Sequence, residues 1–226
     1  MKFKKEMLLL YAVTDRHWTG RQTLEEQIEE ALAGGVTILQ LREKKLSEEE
    51  FLQEAIRVKE ICHRHGVPLI INDNVEVALK SGAEGVHVGI EDAPVSEIRA
   101  RVPADFIIGA TCKTVEQAKK AEQAGADYMG VGAVFPSPTK TTAIRITREQ
   151  LCEICTSVQI PAVAIGGITA VGDADATIDD DQIIVHVDVT GANQNAQAEV
   201  IFSNDMFLSM ESAALNPVES MGGLMT

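Results

Sequence analysis

Nine residues, Ser81-Gly82-Ala83-Glu84-Gly85-Val86-His87-Val88-Gly89, are echoed 43 positions later by Ala124-Gly125-Ala126-Asp127-Tyr128-Met129-Gly130-Val131-Gly132. Ala33-Gly34-Gly35-Val36 is a shorter copy of the same join. In each, a glycine stops a helical pattern in a left-handed turn and an apolar run begins almost at once. A chain that repeats this join alternates strands with helices, and such alternation builds a parallel sheet covered by helices.

Periodicity extends the pattern along the chain. Apolar runs predict strands at 8–13, 36–42, 68–72, 85–88, 106–110, 128–134 and 161–165. Apolar residues at helical spacing predict helices over 24–32, 47–64, 74–80, 95–101, 114–124 and 147–157, the second opened by a capping box of Ser47 with Glu50. Seven units with room for an eighth in 226 residues predict one α/β domain over 1–226, a (β/α)8 TIM barrel. A first-turn Gly-x-Gly-x-x-Gly is absent, which argues against a dinucleotide-binding sheet.

The eighth unit is atypical or incomplete. Residues 169–226 hold ten acidic residues and no Lys or Arg, although 1–168 is nearly balanced. Ile183-Ile184-Val185-His186-Val187 reads as a strand, a polar stretch follows from Gly191, and 213–226 is expected to be disordered.

A net charge of −14 disfavours nucleic acid and anionic membranes as partners. The first apolar run is too short to span a bilayer, so a soluble, cytoplasmic protein with reduced thiols is expected. Cys152 and Cys155 form a lone C-x-x-C inside a helical pattern, which fits packing better than zinc. His87 reads as a satisfied interior histidine, the histidines at 63 and 65 as helix-end residues, and Asp179 to Asp181 as a solvated loop.

Chemistry gathers where the strands end, because parallel strands bring residues just past their carboxyl ends to one mouth. Gln40, Arg42 and Lys44 alternate off one strand and point the same way, as a cluster holding anionic oxygens would; the plainer reading of the two cations is surface charge. Asp73 and Asp92 each follow a strand, and magnesium commonly takes one or two carboxylates while substrate phosphates complete its shell; each Asp could instead cap a helix or turn. The loop Pro136-Ser137-Pro138-Thr139-Lys140 offers hydroxyls and an ammonium to a phosphate, or is simply an exposed connection. Gly166-Gly167 leaves backbone amides uncovered, for a phosphate or for a turn.

Together Gln40-Leu41-Arg42-Glu43-Lys44, Asn72-Asp73, Gly85-Val86-His87-Val88-Gly89-x-Glu91-Asp92, Pro136-Ser137-Pro138-Thr139-Lys140 and Ile165-Gly166-Gly167-Ile168 resemble the thiamine-phosphate synthase family over about residues 8–169. The resemblance implies a (β/α)8 barrel that joins a pyrimidine methyl diphosphate to a thiazole phosphate and releases pyrophosphate. It implies that Gln40, Leu41, Arg42, Glu43, Lys44, Asn72, Thr111 and Lys140 hold the pyrimidine diphosphate. It further implies that Asp73 and Asp92 bind Mg2+, and that Ser137, Pro138, Thr139 and Gly167 contact the thiazole phosphate. Arg42, Lys44 and Lys140 would stabilise the departing diphosphate, and the pyrimidine diphosphate and thiazole phosphate would be the small-molecule partners.

The late sequence departs from the family. If 190–202 supplies strand eight, Ala198-Glu199 takes the place of a Val-Ser pair and sets a carboxylate against a phosphate; if 182–188 supplies it, the thiazole site is rebuilt. A thiazole tautomerase, or a silent protein that binds the pyrimidine diphosphate without turnover, are the competing functions.

Overall fold

Seven apolar runs become seven neighbouring parallel strands: β1 (Leu10–Val13), β2 (Ile38–Leu41), β3 (Leu69–Asn72), β4 (Gly85–Val88), β5 (Ile107–Cys112), β6 (Tyr128–Gly132) and β7 (Ala162–Ile165). The computed structural model describes residues 2–16, 22–133, 145–165, 183–187 and 198–202. Between the strands lie α1 (Leu24–Ala33), α2 (Glu48–His65), α3 (Val75–Ser81), α4 (Val95–Arg99), α5 (Val115–Gln123) and α6 (Arg148–Thr156). The expectations placed on Ser137, Pro138, Thr139, Lys140 and Gly167, on Asp179 to Asp181, and on 213–226 lie outside the described residues.

Local chemistry accounts for the element ends. Thr23, Ser47 and Thr147 each form a capping box, and Asn74 and Thr114 cap α3 and α5 with their side chains. Each such cap contributes about 1 kcal/mol. Helix α2 ends on Gly66 and α3 on Gly82, both left-handed with φ of 70° and 73°. Helix α4 is shorter than the expected 95–101, because the chain turns ahead of Pro103, which cannot donate to a helix.

The repeated join has a structural meaning. Glu84 accepts a hydrogen bond from the Leu69 N–H at 2.8 Å through its side chain and donates its own N–H to the Leu69 carbonyl. Asp127 does the same to Ile108, with 2.8 Å from the Ile108 nitrogen to its carboxylate. Lys59 pairs with Glu84, and Arg99 lies 2.7 Å from Asp127. The acidic residue of each copy therefore pins the incoming strand to its neighbour.

Alternation along the strands separates two apolar layers. Leu39, Leu41, Leu69, Ile71, Val86, Val88 and Ile108 face outward and pack with Ile28, Phe51, Val58, Val77 and Ile98 of the helices. Tyr11, Ile38, Ile70, Ile107, Tyr128 and Val163 face inward with Leu8 and fill the interior. Each fully buried aliphatic side chain is worth about 1.5–3 kcal/mol.

The seam is where the structure leaves the simple repeat. β8 (Ile183–Val187) continues parallel to β7, and β9 (Ala198–Phe202) runs antiparallel to both β8 and β1, closing the sheet. Both candidate segments for strand eight thus enter the sheet. Only 183–187 takes the parallel place, and Ala198-Glu199 opens a reversed strand instead of ending a parallel one.

Candidate active site

The strand ends open on a cavity of about 930 Å³. Thr14 ties its first wall together: its N–H donates to the Gln40 carbonyl at 3.0 Å, and its hydroxyl accepts from the Arg42 N–H at 2.9 Å. With β2 so fastened, Gln40, Arg42 and Lys44 all line the cavity. Leu41 and Glu43 point the other way. Leu41 is buried in the strand and helix core, and the Glu43 carboxylate accepts from Arg16 Nε at 2.6 Å, beside the Arg16–Glu54 pair. Burial pushes the Glu43 carboxyl up, and the Glu54 charge adds to this against Arg16.

Two carboxylates meet at the next wall. Asp73 adopts a left-handed backbone, φ 64°, rare for a residue with a side chain and costing of order 1–3 kcal/mol. Its N–H donates to the His87 carbonyl at 2.8 Å, Asn72 Nδ2 donates to its Oδ1 at 2.7 Å, and Lys44 pairs with Oδ2. Capping of α3 falls to Asn74, which accepts from the Val77 N–H at 2.9 Å, so Asp73 is not spent on the helix. Asp92 accepts from the Gly89 N–H at 2.7 Å, and α4 starts at Pro94 without a side-chain cap. The Asp92 carboxyl is pushed up by burial first and then by the hydrogen bond and charge of Asp73, against the Gly89 N–H and Lys44. A carboxylate held against a second one is a pair that a divalent cation would relieve. Among the described residues no three His, Cys, Asp or Glu side chains are grouped around a metal position.

Cations share the cavity with this pair. Arg42, Lys113 and Arg145 line the cavity and make no ion pair among the described residues. Three cations unpaired among the described residues and two adjoining carboxylates thus share one mouth, an arrangement able to attract an anionic ligand.

The floor is a hydrogen-bonded chain whose members come from five strands, β1, β2, β4, β5 and β6. Gln40, only 7 % exposed, donates from Nε2 to Tyr11 Oη at 2.7 Å. Tyr11 and Tyr128 share a hydroxyl contact of 2.7 Å, Tyr128 lies 3.1 Å from His87 Nδ1, and His87 Nε2 lies 3.1 Å from Thr111 Oγ1. Burial holds both phenols well above their usual range and pushes the His87 imidazole down to about 4, partly opposed by Asp92. A side chain at Gly109 would collide with Tyr128 and reach 2.5 Å from His87 Nδ1, so the glycine makes room for their contact. His87 is satisfied on both nitrogens, as the sequence suggests, yet it also lines the cavity.

Of the residues singled out in the sequence, Gln40, Arg42, Lys44, Asn72, Asp73, Asp92 and Thr111 come together on this wall. Sequence reasoning missed Lys113 and Arg145 as cavity cations and the two tyrosines as its floor. Lys113 carried a usable signal, since it follows the strand end holding Thr111 as Arg42 follows Gln40.

A family model for thiamine monophosphate synthase matches residues 10–178. The chain belongs to that family. A thiamine-phosphate synthase of Ruminiclostridium cellulolyticum is 49% identical over 161 residues, 71% of this chain and 77% of that protein. One of Caldanaerobacter subterraneus subsp. tengcongensis is 48% identical over 159 residues, covering 70% and 74%. The solved thiamine phosphate pyrophosphorylase of Pyrococcus furiosus is 36% identical with a TM-score of 0.66, covering 74% of this chain and 79% of that one. The thiamine monophosphate synthase match stops short of both β8 and β9.

Proposed function

We propose that the protein is a thiamine-phosphate synthase, joining 4-amino-2-methyl-5-(diphosphooxymethyl)pyrimidine to thiazole phosphate with release of pyrophosphate. The observation that carries this reading is the meeting of Asp73 and Asp92 beside Lys44, with Arg42, unpaired among the described residues, in the same mouth. Gln40, Asn72 and Thr111 would hold the pyrimidine diphosphate with Arg42, Lys44 and Lys140, and Leu41 and Glu43 would contribute through their backbone between these side chains. Ser137, Pro138, Thr139 and Gly167 would take the thiazole phosphate. The eight-unit barrel of the family is the frame for both subsites, with β8 as its eighth parallel strand.

Asp73 and Asp92 would hold Mg2+, which supplies charge neutralisation on the diphosphate oxygens. Arg42, Lys44 and Lys140 act on the same oxygens as the carbon–oxygen bond to the pyrimidine methylene breaks; each such donor is worth roughly 3 kcal/mol in comparable sites. The thiazole nitrogen then captures the methylene carbon, so no protein nucleophile is needed.

Purified protein given both substrates and magnesium is expected to release one pyrophosphate per thiamine phosphate formed. No product from a folded sample would overturn the reading. Binding of the pyrimidine diphosphate without product would favour the silent protein, and conversion of the thiazole phosphate alone without metal would favour the tautomerase.

A further inference from the structure

We infer that Gln40, Tyr11, Tyr128, His87 and Thr111 form a single hydrogen-bond chain of fixed direction, which presents the Gln40 carbonyl as an acceptor at one end and the Thr111 hydroxyl as a donor at the other. Tyr11, Tyr128 and His87 are thereby positioning residues that act on the ligand through Gln40 and Thr111.

The direction follows from counting protons. Gln40 Nε2 donates to Tyr11 Oη, so the one proton of Tyr11 must go to its other neighbour, Tyr128 Oη. The Tyr128 proton must then go to His87 Nδ1, 3.1 Å away. An imidazole that accepts at Nδ1 carries its proton at Nε2, which donates to Thr111 Oγ1 at 3.1 Å. Thr111 Oγ1 is left with its own proton to give, and among the described residues none receives it. At the other end, no described residue bonds Gln40 Oε1. Every member of the chain lines the cavity.

Turning the Gln40 amide over would reverse all four bonds, move the imidazole proton to Nδ1 and make Thr111 an acceptor. Two features of the ligand select the first direction together. An aminopyrimidine offers N–H donors, which need an acceptor at Gln40, and a diphosphate offers only acceptors, which need a donor at Thr111. The tight glycines support a purpose beyond packing: a Cβ at Gly109 would strike the Tyr128–His87 contact, and one at Gly130 would sit 3.1 Å from His87 Cε1. The inference rests on the proposed substrate for the reason behind the direction, but not for the chain itself.

The test uses full-length protein labelled with 15N-histidine, the His87 signal being identified by its loss in His87→Gln. Ring-nitrogen shifts are expected to show Nε2 protonated and Nδ1 bare, and a mixture of tautomers in Tyr128→Phe. Calorimetry with magnesium pyrophosphate is expected to give about tenfold weaker binding for Tyr128→Phe and for Thr111→Val, and a double variant no more than about twofold weaker than Thr111→Val alone. Thr111→Ser, which keeps the hydroxyl, is expected to bind as the parent does. A wild-type imidazole protonated at Nδ1 would overturn the direction. Independent, multiplying losses would overturn the positioning role, and Tyr11→Phe repeats the measurement should Tyr128→Phe fold poorly. Correct tautomer and coupled binding without product would sink the synthase reading and leave the chain standing; product with the opposite tautomer would do the reverse.

Discussion

The carboxylate of Asp92 hangs from the backbone N–H of Gly89, with Oδ2 2.7 Å from that nitrogen, and it leaves no space for a side chain there: a Cβ on Gly89 would sit 2.8 Å from the same oxygen. The glycine and the carboxylate are thus one device. Gly89→Ala is expected to displace Asp92 and raise the magnesium concentration giving half-maximal activity about tenfold, with little change in thermal midpoint. Asp92→Asn is expected to lower the rate about 100-fold. Magnesium titrations of the two variants that overlay the parent curve would remove Asp92 from the metal site.

Arg42 and Lys44 should separate in their effects. Arg42 has no ion-pair partner among the described residues, whereas Lys44 neutralises Asp73. Arg42→Gln is therefore expected to cost about 100-fold in kcat/KM while urea stability stays within about 0.5 kcal/mol. Lys44→Gln leaves Asp73 beside Asp92 without its cation, so magnesium is expected to bind it more tightly even as turnover falls. Equal magnesium affinity in both variants would contradict the described pairing.

His87 makes stability depend on pH in a definite direction. Its folded value of about 4 lies below the ordinary 6.5, so the unfolded chain binds more protons between those values. The stability gained from keeping the ring neutral is fully present above 6.5 and is lost as pH falls toward 4. The loss is of order 3 kcal/mol. Urea midpoints from pH 7 down to pH 4.5 are expected to fall more steeply for the parent than for His87→Gln, and parallel lines would refute the buried neutral ring.

The thiols offer a check on packing. Cys62, Cys112 and Cys155 are buried and pushed up to about 12 by that burial, while Cys152 is partly exposed. A thiol reagent at neutral pH is expected to label about one cysteine per native chain rapidly and the other three only on unfolding. Fast labelling of Cys155 would mean that α6 is not docked as described.

Periodicity located every strand from β1 to β7 within a few residues, because each unit carries its own signals: an apolar run, a cap such as Ser47 and a glycine such as Gly82. The strand ends were legible for the same reason, since Gln40, Arg42 and Lys44 declare a shared face by spacing alone. Spacing is silent about contacts between units. Whether Asp73 capped α3 depended on its neighbour Asn74 taking the task, and nothing local announced the left-handed turn that frees it. Tyr11 and Tyr128 stand 117 residues apart and read as ordinary core aromatics until the barrel brings their hydroxyls together. The seam was ambiguous because both 183–187 and 198–202 have strand character, and the sequence holds no mark of the reversal in β9.

Phe3 stacks beneath Tyr128, with ring centroids 6.0 Å apart and planes 19° from parallel. The amino-terminal residues therefore press on the same ring whose hydroxyl reaches up to His87. Anyone attaching a purification handle ahead of Phe3 would be pulling on the foundation of the chamber, and a fusion at that end could blunt turnover from the side of the molecule farthest from where substrates arrive.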